Sequence, residues 1–243
     1  MENSVLSGRH PWPRLAEGYW AESRQPLASL VFLAPLLIAY ELGVLILGVQ
    51  NGADAFLAGL LDRMGFSQHF VLPLVTVCLL LGWHHVSRDS WRLSAGTLSA
   101  MVAECVLLAV ALRLILVLQS AMAMAVSTPI EMHLGDRFGL AVGFLGAGIY
   151  EELLFRLILL SGVAWGFRRA GTKPWLAVVL AAVATSLLFA AAHYVGPSGE
   201  PLGWFSFVFR FVAGMFFAVV FSYRGFGIAA GSHAAYDILV GVF

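Results

Sequence analysis

The chain has 243 residues, 60% of them hydrophobic and only 12% charged, with a formal net charge of zero. Soluble domains carry about 25% charged residues, so a pair of soluble globular units is excluded, and the neutral balance offers no basic surface for nucleic acid. Apolar runs recur from about residue 26 to the C-terminus, which predicts an all-α fold, a polytopic transmembrane helix bundle.

In chain order, residues 1–25 contain no apolar core of signal-peptide length and read as a cytoplasmic, partly amphipathic N-terminal arm. A crossing helix needs about 20 apolar residues. About seven spans fit that rule: 27–49, 68–86, 97–120, 138–165, 174–195, 203–223 and 226–242. Between the first two, GADAFLAGLLDRMGF has helical apolar spacing but is too short to cross, so it is expected at the membrane interface. Cys78 and Cys105 lie in apolar runs and read as buried small hydrophobes rather than a disulfide or a metal pair. The sequence divides into residues 26–137, a first group of transmembrane helices, and 138–243, a helical core that carries the polar motifs.

Basic residues set the orientation, because cytoplasmic loops are enriched in Lys and Arg. With the N-terminus inside, the inner segments hold Arg9, Arg14, Arg24, Arg88, Arg92, Arg168, Arg169, Lys173 and Arg224, while the outer ones hold Arg63 and Arg137. Moving the count by one span removes this bias. A single lysine among 14 basic residues, with abundant Ala and Gly, points to a GC-rich bacterial genome and so to a bacterial inner (plasma) membrane.

Ionisable groups inside spans are rare and mark function. Here they are Glu41, Glu104, Arg113, the Glu151/Glu152/Arg156 group, Arg210 and Asp237, joined by His193 and His233. YEELLFR at 150–156 sets two adjacent glutamates and an arginine between apolar flanks. Residues four apart share a helical face, so Glu152 and Arg156 are expected to pair and to support the site. Glu151 is rotated about 100° away and keeps a carboxylate with no partner on its own helix. Phe189 and His193, one turn apart, line one face near the end of the fifth span. His233 and Asp237, four apart in the last span, face one cavity. Plain packing of His193, and a helix-to-helix hydrogen bond at His233 and Asp237, are the alternatives.

The remaining polar residues are assigned no catalytic role. Glu104 and Arg113 are nine apart and cannot pair on one straight helix. Arg210 is expected to snorkel or to meet Glu41 or Glu104, and His84 with His85 reads as an interfacial polar cap. Gly139 with Gly143 and Gly227 with Gly231 form GxxxG pairs that let backbones approach closely.

Taken together, EExxxR, FxxxH and HxxxD, in that order on three spans, resemble the CPBP family of intramembrane proteases. This is also called the Abi or CAAX-protease-like family and includes the Rce1-type prenyl-protein endopeptidases. The resemblance covers roughly residues 139–240. It implies an intramembrane endopeptidase in which Glu151 is the essential base and His193 works with it on the attacking water. His233 matches the third motif, whereas Asp237 departs from the commoner Asn. The difference matters because Asn donates to an oxyanion and an ionised Asp does not.

Peptide hydrolysis needs an activated water and a donor at the developing oxyanion. Glu151 with His193 serves the first need, and His233 with Asp237 assists the second, provided Asp237 is protonated. Alternatively, Glu151, His193 and His233 form the three-ligand set of a catalytic zinc with water in the fourth position. The glutamic reading is favoured, since the three groups come from three helices, no i, i+4 His pair prebuilds a metal site, and no HExxH occurs.

The expected partners are the lipid bilayer and a protein or peptide substrate, such as a C-terminal anchoring or sorting segment. The same residues are compatible with a proton-coupled transporter, with a bis-histidine haem protein using His193 and His233, and with an inactive immunity or scaffold member. One depth relation also has to be met. His193 lies about 27 Å along its span and His233 about 10 Å along its own, so tilt, a broken helix or a shifted span start must bring them level.

Overall fold

The computed structural model describes residues 12–66, 70–122, 134–195 and 199–242, and no strand occurs among the described residues. Helix α1 (Trp12–Ser23) precedes α2 (Pro26–Leu47), which starts on a proline that needs no N–H partner. It stops at Gly48, whose φ of 66° is a left-handed cap that side chains resist. Next come α3 (Gly52–Arg63), capped by the Asn51 side chain, then α4 (Val71–Ser87) and α5 (Ala95–Met122). Helix α6 (Leu134–Gly146) continues through a π-helical stretch, Ala147–Glu151 and Leu153–Leu160, into α7 (Ser161–Arg169). The chain then forms α8 (Pro174–Ala192), α9 (Trp204–Arg224) and α10 (Phe226–Gly241).

Among the described residues, five helices are long and apolar enough to cross a membrane: α2, α5, the continuous helix over Arg137–Arg169, α8 and α9. The other two expected spans are shorter, with 17 residues in α4 and 16 in α10. At 1.5 Å per residue α10 is about 24 Å long, against a hydrocarbon core of about 30 Å. Residues 68 and 69, at the expected start of the second span, lie outside the described residues.

The short α10 is the central element, packed against α2, α5, α6, the π-helical stretch and α9. Every residue from Phe226 to Ala234 is buried. Small side chains make this possible: a Cβ at Gly231 would fall 2.6 Å from the Phe32 ring and 2.8 Å from Cys105 Sγ. Gly227 and Gly231 thus behave as a close-packing pair. Gly139 and Gly143 meet only Val49, at ordinary contact distances, and line an open groove.

One end of the bundle gathers the α1–α2, α4–α5 and α9–α10 connections. Glu22 accepts from the Ser94 N–H, Arg224 reaches Ser23, and Gly225 packs on the Arg24 backbone. Arg24, Arg88, Arg92 and Arg224 therefore share an end, as their distribution in the sequence requires.

Several polar residues take partners other than those expected. Arg224 grips Glu104 with two nitrogens, Nε to Oε1 at 2.6 Å and Nη2 to Oε2 at 2.7 Å, and the Tyr19 hydroxyl donates to the same carboxylate. Arg210, two turns from the start of α9, turns back to Glu200 at 2.7 Å instead of reaching Glu41 or Glu104. Glu41 accepts from the Tyr150 hydroxyl at 2.6 Å, and Asp54 of α3 from the Tyr40 hydroxyl at 2.7 Å. These two bonds tie α2, α3 and the π-helical stretch together.

Cys105 is buried, but Cys78 is exposed. The buried face of α4 is Leu72, Thr76, Leu80 and His84, and Cys78 lies off it. His84 is no polar cap either. It is fully buried edge-on to the Trp91 ring, 4.5 Å between centroids, because the residues after α4 fold back over it.

Candidate active site

The site is built where the π-helical stretch crosses α10. Bonding from i to i+5 turns the chain by less per residue than the about 100° of an α-helix. Glu151 and Glu152 therefore diverge less than α-helical phase implies, and both reach α10. Gly148 permits the approach: a Cβ there would fall 2.6 Å from the Ala234 Cβ and 2.7 Å from the Ala230 carbonyl oxygen. Backbone cannot swing aside as a long side chain can, so the crossing requires glycine.

His233 is the hub. Its Nδ1 lies 2.8 Å from Oε1 of Glu152, while Nε2 faces Asp237 Oδ2 at 3.4 Å and Glu151 Oε2 at 3.8 Å. A carboxylate only accepts, so Nδ1 carries the proton on that side and Nε2 is presented to the other two acids. Phe217 stacks on the imidazole, 4.4 Å between centroids and 15° between planes, and fixes the ring against rotation.

The expected Glu152–Arg156 pair forms, with Arg156 Nε 3.2 Å from Oε2 and both side chains almost wholly buried. The N–H does not point along this line, and Oε2 receives no directed hydrogen bond among the described residues. The contact is therefore coulombic. Arg156 Nη2 instead donates to the Gly214 carbonyl at 3.1 Å, and the guanidinium lies over the Phe189 ring at 4.6 Å. Glu152 thus has a second partner that helical phase did not reveal. It joins the cation of its own helix to the imidazole of α10.

His193 stands apart from this cluster. Its Nδ1 lies 2.9 Å from the Phe189 carbonyl, and its ring meets the Phe189 ring at 5.0 Å. Phe189 also touches His233, at 6.0 Å between centroids, so the two histidines contact the same phenyl ring. That shared ring brings the two histidines close to one level, so the depth gap expected from their positions along straight spans closes. Phe217 and Gly148 were not recognisable in the sequence. The phenylalanine is one among 18, and the glycine one among 25.

The proposed zinc ligands do not fit one ion. Among the described residues no group of three His, Cys, Asp or Glu side chains is set to hold a metal. His193 holds Nδ1 to its own helix, which leaves Nε2 as its ligand atom, but among the described residues Glu151 is paired with His233 and not with His193. Two open grooves, of about 490 and 890 Å³, lie away from the cluster, and neither is lined by Glu151, His193, His233 or Asp237.

Residues 134–239 match the family model Rce1-like, described as type II CAAX prenyl endopeptidase Rce1-like. Over these residues the chain is similar to that family. The matched segment opens at the first residue of α6 and closes two residues after Asp237, so it holds all three motifs and the crossing itself. That family is one of CAAX-type intramembrane endopeptidases, in keeping with the five apolar helices long enough to span a bilayer. No curated protein and no solved structure matches the chain.

Proposed function

We propose that the protein hydrolyses a peptide bond at or within the bilayer, using a water activated by Glu151 together with His193. The observation that carries this reading is the arrangement at His233. One ring nitrogen is anchored by Glu152, and the other faces Glu151 and Asp237. The Glu151 side chain is 13% exposed, which gives water access to a carboxylate that makes no hydrogen bond among the described residues.

In this mechanism Glu151 takes a proton from water as the water oxygen bonds to the carbonyl carbon and the carbonyl π pair moves onto oxygen. His193 orients the water. A proton on Nε2 of His233 and one on Asp237 assist the oxyanion. The C–N bond then breaks, and Glu151 returns its proton to the departing nitrogen. Glu152 and Arg156 hold His233 in place, and no step passes through a metal. The substrate is a protein or peptide segment that reaches the site from the bilayer, such as a C-terminal anchoring or sorting segment. The shared basic end of the bundle faces the cytoplasm of a bacterial plasma membrane.

The test is cleavage of apolar peptides by the purified protein in detergent, comparing wild type with Glu151→Gln. Loss of cleavage in the variant is expected. Equal cleavage by both removes Glu151 as the base.

A further inference from the structure

We infer that Arg113 is a substrate-binding residue whose guanidinium holds a carboxylate of the bound peptide, beside Tyr236 at the rim of the His233–Asp237 cluster. The inference rests on the endopeptidase reading. Arg113 lies 18 residues into α5, about 27 Å from its start and about 14 Å from its end. That is deep in a segment whose mean hydropathy is 2.5.

Three other arginines of the helical segments are neutralised within the chain: Arg156 by Glu152, Arg210 by Glu200 and Arg224 by Glu104. Arg113 makes no ion pair or hydrogen bond among the described residues, and its side chain is exposed. Its neighbours Ala109 and Leu112 are packed with Phe217 and Tyr236, so Arg113 sits at the edge of that contact and not on a remote face. Tyr236 in turn lies next to Asp237 and one turn from His233.

An unpaired guanidinium in apolar surroundings calls for an anion, and its planar fork matches a carboxylate. At the reacting centre Glu151 disfavours such a group, since its carboxylate lies beside His233 with no arginine against it among the described residues, whereas Arg156 balances Glu152. A carboxylate on the substrate is therefore excluded from the centre and accepted one side chain away. This orients the peptide with its anionic end towards α5 and the bond to be cut at His233. The carboxylate is a free chain terminus or an acidic side chain near the cleaved bond.

The test uses full-length Glu151→Gln protein, so that binding is read without turnover, and three fluorescent peptides sharing one apolar sequence. One ends in a free carboxylate, one in an amide, and one in an amide with a glutamate near that end. Binding of either carboxylate peptide about tenfold tighter than the plain amide is expected. Adding Arg113→Gln should bring the ratio close to one, and Arg113→Lys should keep part of it. Whichever carboxylate peptide binds better identifies the source of the anion. A ratio near one before the Arg113 change, or a ratio unaffected by Arg113→Gln, overturns the assignment, as does failure of all three to bind. Cleavage of the same peptides by wild type is scored separately and bears only on Glu151.

Discussion

Oε1 of Glu152 lies 2.8 Å from Nδ1 of His233, across 81 residues of sequence. The pair joins the helix of the first motif to the helix of the third and gives Glu152 two duties, to neutralise Arg156 and to aim the imidazole. Glu152→Ala is expected to lower stability by about 3–5 kcal/mol, because it strands a buried cation, and to lower activity as well. Glu152→Gln keeps an acceptor for Nδ1 and should retain more activity than Ala while still melting below wild type. Glu151→Gln, by contrast, should abolish hydrolysis with the melting temperature unchanged. Thermal melting and turnover measured together separate the two glutamates.

Gly148 is predicted to be intolerant of any side chain. The added atom would press on the Ala234 Cβ and the Ala230 carbonyl. Gly148→Val should therefore force α10 away from the π-helical stretch, at about 1–3 kcal/mol or more. The expected signature is a lower melting temperature and a loss of activity larger than the loss of fold explains. A fully active, wild-type-stable Gly148→Val protein is incompatible with this crossing.

Asp237→Asn distinguishes donor from carboxylate. If Asp237 donates to the oxyanion, Asn should retain activity across the pH range, since its amide donates at every pH. If instead its carboxylate orients His233 from 3.4 Å, the substitution should cost about tenfold or more at every pH, roughly the weight of one charge-assisted hydrogen bond. We expect retention, and a uniform loss in the pH–rate profile refutes it.

Arg224→Lys is expected to destabilise although the charge is kept. The guanidinium makes two bonds to Glu104, one to Ser23 and a face contact with Trp20 at 3.8 Å. An ammonium cannot reproduce that fork. A loss of about 1–2 kcal/mol is expected, read as a lower melting temperature and faster proteolysis of the N-terminal arm.

Activity is expected to persist after exhaustive chelation, because Glu151, His193 and His233 do not converge on one ion. Loss of turnover on chelation, with recovery on adding zinc, reverses this prediction.

The sequence by itself determined the helical class, most of the long apolar spans and the three motifs that carry the candidate site residues. Hydropathy over about 20 residues is a local property set by bilayer thickness. EExxxR, FxxxH and HxxxD place their members one helical turn apart whatever surrounds them. The basic residues that mark one end of the bundle were likewise readable, because each loop carries its own count.

Tertiary structure alone decided which groups meet. Helical phase paired Glu152 with Arg156, but only the crossing at Gly148 delivers His233 to the same carboxylate. Glu104 found Arg224 from 120 residues away, where a reading confined to one helix saw only Arg113, nine residues on. Cys78 and His84 sit six residues apart on one helix and have opposite fates, one exposed and one fully buried. Position around an apolar helix leaves no mark in a sequence apolar on every side. Packing of α4 against α2 and α3 selects the buried face, and that contact exists only in the folded bundle.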